Sequence, residues 1–191
     1  MEAEKREVRT EAVEKRVLAE KKGKGLSISD LILVAVLLAA GAVLKFFVGS
    51  LINIGGMKPN FIISMYCLAI LLIRPKMTEA GIIGIIAGAI CQFFPGSPYL
   101  NLASELCGAL VMAAMIRIPM KIGKVDLNPA VATFVSTLVS GGLFTVMLFL
   151  FLDATAATMV AYVPIVTCTG LINAVIVQLL YIPLKLTVKK D

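Results

Sequence analysis

The residues best suited to bind a small charged molecule lie in one polar turn, residues 53–60, with the sequence NIGGMKPN. Pro59 favours the first turn of a helix, so a helix is expected to begin just after Lys58. The free N–H groups and the dipole of a helix start attract anions, and Gly55 and Gly56 leave backbone amides open to a ligand. The turn therefore predicts a carboxylate-binding site. The alternative is that Lys58 reaches toward water and that the glycines serve only the turn.

Glu105 is a single acidic residue within a long apolar run. It follows Asn101 by four positions, so the two side chains are expected on the same face of a helix. An acidic residue inside a membrane helix is costly and by default indicates a functional site. Glu105 could bind the ammonium group of a ligand. It could instead form a structural ion pair with Lys45, which lies near the outer end of the first helix.

Aromatic and amide side chains flank the next turn, residues 95–98. Phe94 precedes this turn, Tyr99 follows it, and Gln92 adds a hydrogen-bonding group nearby. A belt of aromatic residues at a membrane surface is the simpler interpretation. Together with an anion site and a carboxylate, these side chains indicate a site for an amino acid with a flat apolar side chain.

Several enzyme classes are excluded by residues that the chain lacks. It contains no His, and therefore neither an HExxH zinc motif nor a Ser-His-Asp or Cys-His catalytic arrangement. Its four Cys lie in apolar runs without CxxC spacing, and no phosphate-binding loop is present. We therefore expect no enzymatic activity, no bound metal and no cofactor. Energy for any transport has to come from a partner or from an ion gradient.

The elements that position these residues are long apolar segments. The chain has 191 residues and is 59% hydrophobic, with a mean hydropathy of +0.96. Soluble domains are about 45–50% apolar, so the lipid bilayer is the expected environment. The expected fold is an all-α membrane protein with six transmembrane helices. The predicted helices cover residues 29–48, 59–73, 80–94, 100–118, 130–152 and 158–186.

The distribution of positive charge predicts how these helices are oriented. Sixteen of the 18 Lys and Arg lie in the amino-terminal segment, in two turns and in the tail, and only Lys45 and Lys58 lie on the opposite side. Because positive residues concentrate on the cytoplasmic side, both termini are expected in the cytoplasm. The same distribution accounts for the net charge of +6 without a nucleic-acid partner. We expect a charged cytoplasmic segment, residues 1–26, followed by a transmembrane domain, residues 27–191.

The first predicted helix has one side made of small residues. Ala35 and Ala39 lie four positions apart, a spacing that lets another helix approach closely in lipid. This side could contact another helix of the same bundle. It could instead be a docking face for a separate membrane protein.

At residues 55–61 the sequence GGMKPNF, followed by Phe94-Pro95-Gly96 and Asn101, resembles the bacterial tryptophan transporter family. Members of that family commonly carry GMKP followed by Asp-Phe, and Asn60 takes the place of the Asp here. The small face at Ala35–Ala39 and the six short helices also resemble the substrate-binding S components of energy-coupling factor (ECF) transporters. The general resemblance covers residues 28–189.

The resemblance implies a subunit that captures a small solute, here tryptophan, from outside the cell. The subunit would dock through Ala35 and Ala39 on a transmembrane coupling subunit, and two cytoplasmic ATPases would drive release inside. The expected substrate-binding residues are Lys58, Gly55 and Gly56 for the carboxylate, Glu105 and Asn101 for the amino group, and Phe94 and Tyr99 for the ring, with Asn60 and Gln92 beside them.

Three alternatives remain open at this stage. An S component of the same architecture could bind a vitamin or another aromatic small molecule. The chain could be a non-transporting membrane scaffold whose outer polar groups are purely structural. It could also be a carrier that works alone and is driven by an ion gradient.

Overall fold

The computed structural model describes residues 25–51, 58–94, 99–122 and 125–188. Within these ranges the chain forms six helices and one two-stranded hairpin, so the predicted all-α fold is confirmed. Almost all of the expected charged segment, residues 1–26, lies outside the described residues. Gly55 and Gly56 also lie outside them. The elements are α1 (Ile28–Leu51), α2 (Ile62–Ile73), α3 (Met77–Cys91), α4 (Leu100–Met115), β1 (Lys121–Ile122), β2 (Val125–Asp126), α5 (Asn128–Phe151) and α6 (Ala156–Val188).

Three of these helices are long and apolar enough to cross a membrane. They contribute the candidate spans Ile28–Gly49, Asn128–Phe151 and Ala156–Leu186. Helices α2, α3 and α4 have 12, 15 and 16 residues, fewer than the about 20 that a spanning helix usually needs. The chain is therefore an all-helical membrane protein, and a count of six crossings stays a prediction.

Local chemistry explains where several helices begin and end. Before α1, the Ser27 backbone N–H and hydroxyl both donate to Asp30 Oδ2, at 2.9 and 2.7 Å, which satisfies free groups at the helix start. Helix α2 ends at Arg74, which adopts the left-handed conformation with φ of 53° and is followed by Pro75. At the start of α5, Asn128 donates to the backbone oxygen of Met115 at 2.9 Å and so ties α5 to the end of α4.

Helix α2 forms the centre of the bundle. All residues from Ile62 to Leu71 are buried, and they are apolar on every side of the helix except for Ser64 and the hydroxyl of Tyr66. A helix that is hydrophobic all round is stable only when other helices enclose it. It packs against α1, α3, α4, α5 and α6, so the start of α2 is held from several sides.

Close packing of α3 on α4 fixes the rotation of α4. A Cβ atom added to Gly84 would lie 2.7 Å from the Ala109 Cβ, and one added to Gly88 would lie 2.7 Å from the Leu102 Cα. These glycines let the two backbones approach closely, as small residues do in membrane bundles. With its other side held by α3, α4 directs Glu105 toward α2 and α5.

The small side of α1 lies on the surface of the bundle. Ala35 and Ala39 are exposed, as are their larger neighbours Val36 and Val43, whereas Leu38 is buried against the core. Packing within the bundle therefore does not cover these two alanines in the described part of the chain. Their role as a docking face remains a prediction.

Candidate functional site

One cavity brings together residues from α1, from the start of α2, from the segment after α3, and from α4, α5 and α6. The cavity volume is about 90 Å³, and the empty space is about 790 Å³ when the open mouth is included. Small-molecule sites in proteins have volumes of roughly 300–1,000 Å³, so the enclosed part alone is smaller than a typical ligand site. Its polar lining residues are Lys45, Lys58, Asn60, Asn101, Ser104, Glu105, Thr137, Ser140 and Thr169.

Glu105 is almost fully buried at this cavity, with 1% of its surface exposed. The Asn60 side-chain amide donates a hydrogen bond to its Oε1, and the Ser140 hydroxyl donates to its Oε2 at 3.2 Å. Neutral donors from the start of α2 and from α5 therefore hold the carboxylate. No salt bridge joins Glu105 to Lys45 in the described structure, where the two side chains have other hydrogen-bond partners, and binding of a ligand by Glu105 stays a prediction.

Lys45 is a buried cation at the same cavity, with only 5% of its surface exposed. Its Nζ donates to the Cys91 Sγ at 3.3 Å and lies 5.1 Å from the centroid of the Phe94 ring. Sequence reasoning treated this lysine only as a possible partner of Glu105. The available signal was that Lys45 is one of the two cations predicted on the outer side.

Two asparagines bring amide groups to the cavity. Asn101 is 5% exposed, and its Nδ2 has no hydrogen-bond partner among the described residues. A buried donor without an acceptor costs about 1–3 kcal/mol, so an acceptor atom of a ligand is favoured beside it. Asn60 is held at the start of α2, where its Oδ1 accepts from the Ile62 N–H at 3.3 Å. The Asn60 side chain is thus held in place by the backbone at the start of α2.

Two aromatic residues of α5 and α6 also line the cavity. Phe144 of α5 and Tyr162 of α6 lie with ring centroids 6.1 Å apart and planes tilted by 56°. Gly141 allows these two helices to approach closely, because a Cβ atom there would lie 2.6 Å from Val166 Cγ1. The other apolar lining residues are Pro59, Ile63, Phe94 and Ile165.

The cavity unites five of the residues predicted from the sequence to bind substrate. These five are Lys58, Asn60, Phe94, Asn101 and Glu105. Gln92 and Tyr99 do not line it: the Gln92 side chain donates back to the Gly88 oxygen at 2.9 Å, and Tyr99 is 79% exposed. Gly55 and Gly56 lie outside the described residues, so their predicted contacts stay predictions.

Sequence reasoning missed the contribution of α5 and α6. Ser136, Thr137 and Ser140 recur at helical spacing in α5, and all three are buried. That polar stripe was the available signal, because buried hydroxyls in a membrane helix face other protein groups rather than lipid. Phe144 continues the stripe one turn later, which places its ring at the cavity.

The sequence of the chain was also compared with known protein families, curated proteins and solved structures. Residues 27–189 match the family model described as "Tryptophan transporter TrpP". Searches of curated proteins and of solved structures returned no match. The matched region contains all six described helices and every residue that lines the cavity.

Proposed function

The chain belongs to the tryptophan transporter TrpP family, and on that premise we propose that it is a membrane subunit that captures tryptophan in the cavity between its helices. The family supports a role in transport. In this proposal the helices cross the cell membrane six times, and both termini lie in the cytoplasm. The concentration of Lys and Arg in the terminal segments and two turns supports that orientation.

One observation carries the proposal, namely that charges of both signs and aromatic rings surround a single space. Tryptophan at neutral pH carries a carboxylate, an ammonium group and a flat indole ring. Lys45 and Lys58 suit the carboxylate, and the carboxyl group of Glu105 suits the ammonium group as a hydrogen-bond acceptor. Phe144 and Tyr162 suit the indole ring, because aromatic pairs favour offset or edge-to-face contact.

These positions give the ligand a direction in the cavity. The three charged lining residues come from α1, α4 and the segment before α2, whereas the Phe144 and Tyr162 rings come from α5 and α6. The amino-acid end of tryptophan therefore lies against α1, α2 and α4, and its ring lies toward α5 and α6. Lys58 and Phe94 adjoin turns that the charge distribution assigns to the outer side, so tryptophan enters from outside.

For energy coupling, we propose that the chain works as an S component with a transmembrane coupling subunit and two ATPases. The sequence contains no nucleotide-binding motif, so ATP has to be used by a partner. The exposed Ala35 and Ala39 support α1 as the docking helix, since small residues permit close helix contact in lipid.

Titration of the purified chain with tryptophan tests capture directly. The chain contains no Trp, so the indole fluorescence of the ligand reports binding without a tryptophan background. We expect saturable binding at micromolar tryptophan. A protein that stays folded and monodisperse but gives no saturable signal contradicts the proposal.

Replacement of Glu105 tests the site. Because Glu105→Ala removes the acceptor of the ligand ammonium, we expect the Kd to rise about 10- to 100-fold, as for loss of a charged hydrogen bond. Glu79→Ala is the matched control, since the Glu79 carboxylate accepts from the Lys76 backbone N–H at 2.8 Å and does not line the cavity. If the two variants bind tryptophan with equal affinity, Glu105 does not contribute to binding.

A further inference from the structure

The cavity contains more positive than negative charge. Its charged lining residues are two cations, Lys45 and Lys58, and one anion, Glu105. The two neighbouring turns outside the described ranges, residues 52–57 and 95–98, contain no Asp, Glu, Lys or Arg. The charged residues that line the cavity therefore leave one positive charge in excess.

The single anion does not depend on a ligand for hydrogen bonds. Asn60 donates to one oxygen of Glu105 and Ser140 donates to the other, at 3.2 Å for Ser140. A buried carboxylate is stabilised when such donors satisfy its lone pairs. Loss of the ammonium group from a ligand therefore leaves Glu105 with the same two protein partners.

The buried cation and a buried amide, by contrast, lack a strong acceptor. The Lys45 Nζ contacts the Cys91 sulfur and the face of the Phe94 ring, which are weaker acceptors than a carboxylate. The Asn101 Nδ2 has no partner in the described part of the chain. Both groups line the cavity, and both are at least 95% buried. A carboxylate is the ligand group that satisfies them together.

We infer that the cavity selects its ligand mainly through the carboxylate and therefore also binds aromatic carboxylates that have no amino group. This inference rests on the proposed function, because it concerns the same site and the same ring. An aromatic carboxylate of charge −1 neutralises the excess positive charge of the cavity, whereas zwitterionic tryptophan leaves it in place. An aromatic amine of charge +1 adds to the excess.

Three indole ligands with the same ring test the inference on the full chain in lipid nanodiscs. Tryptophan has both charged groups, indole-3-propionate lacks the ammonium group, and tryptamine lacks the carboxylate. By isothermal titration calorimetry we expect indole-3-propionate to bind within about tenfold of tryptophan and tryptamine about 100-fold more weakly than the acid. Tryptamine affinity within tenfold of the acid, or no saturable binding of the acid, overturns the inference.

Variants of Lys45 identify the group responsible. Lys45→Met is expected to weaken indole-3-propionate binding by about 100-fold, and Lys45→Arg, which keeps the charge, is expected to retain most of it. Lys185→Met is the matched control, because Lys185 also lies over a ring, 5.2 Å from the Tyr181 centroid, but outside the cavity. If Lys45→Met binds the acid as the wild type does, the assignment to Lys45 is wrong.

The same ligand series separates this inference from the proposed function. If tryptophan binds but indole-3-propionate and tryptamine bind equally, tryptophan capture stands and selection through the carboxylate fails. If indole-3-propionate binds and tryptophan does not, the tryptophan function fails and the inference stands. The wild-type comparison does not require a variant to fold, so a misfolded Lys45 variant leaves the test intact.

Discussion

Asn173 of α6 donates a hydrogen bond from its Nδ2 to the backbone oxygen of Asn60, at 3.1 Å, across 113 residues of sequence. The Asn60 side chain in turn donates to Glu105. Asn173 is fully buried, and its Nδ2 also lies 3.4 Å from the Thr137 Oγ1. A side chain that does not line the cavity thus holds the start of α2 against the carboxylate in α4.

This connection predicts that Asn173→Leu weakens tryptophan binding by about tenfold, because Asn60 loses the donor that fixes its backbone. The measurement is fluorescence titration together with thermal unfolding. Gln178→Leu is the control on the same helix, since the Gln178 amide bonds to the Ala130 N–H and the Asp126 oxygen, both at 3.1 Å, at the other end of the bundle. It should lower the melting temperature without changing the Kd. An unchanged Kd for Asn173→Leu would rule out this positioning role.

A second prediction concerns the ring-binding residues. Phe144→Leu should raise the Kd for tryptophan about tenfold, because it removes a ring from the lining of the cavity. Tyr99→Leu should change the Kd by less than about twofold, because Tyr99 is 79% exposed and lies outside the cavity. Titration of both variants in parallel decides between Tyr99, one of the two rings expected from the sequence, and Phe144, which lines the cavity. A larger effect of Tyr99→Leu would favour Tyr99.

Two adjacent glycines in α5 provide a third prediction. A Cβ atom on Gly141 would lie 2.6 Å from the stiff side chain of Val166, whereas one on Gly142 would meet nothing within 4 Å. Gly141→Ala should therefore destabilise the protein by about 1–3 kcal/mol and weaken tryptophan binding. Gly142→Ala should be neutral or stabilise it by up to about 1 kcal/mol, because alanine favours a helix over glycine. Thermal unfolding measures both, and equal melting temperatures would contradict the close packing of α5 on α6.

The docking face of α1 provides the fourth prediction. Ala39→Phe should abolish co-purification with a coupling subunit and its ATPases while leaving the Kd for tryptophan unchanged, because a bulky ring blocks close helix approach at an exposed position. Ala89→Phe is the matched control, an equally small exposed residue on α3. Normal co-purification of Ala39→Phe would place the docking surface elsewhere or exclude such a partner.

Much of the fold could be predicted because its signals are local. Apolar runs set the six helices, and Arg74-Pro75 and Asn128-Pro129 mark boundaries that depend on backbone chemistry within a few residues. The helix ends in the structure differ from the predicted helix ends by only a few residues. The hairpin of β1 and β2 was missed, because two residues per strand are too few for an alternating pattern to be recognised.

Part of the candidate site could be predicted for the same reason. Lys58, Asn60, Phe94, Asn101 and Glu105 are chemically unusual within apolar surroundings, and each lies beside a predicted turn or one turn into a helix. Their residue types alone identify them as candidate site residues. Lys45 could also be recognised from the sequence as a cation in an apolar run. Its role depends on whether it pairs with Glu105, and this is decided by the distance between α1 and α4.

By itself, then, the sequence determined an all-helical membrane protein, its family and the polar residues on one side of it, because composition, hydropathy and short motifs are read along the chain. Only the tertiary structure decided that α5 and α6 complete the cavity, that Tyr99 stays outside it and that Asn173 supports Asn60. These relations depend on how each helix is rotated about its axis. That rotation is set by contacts such as Gly84 on Ala109 and Gly141 on Val166, between residues distant in sequence.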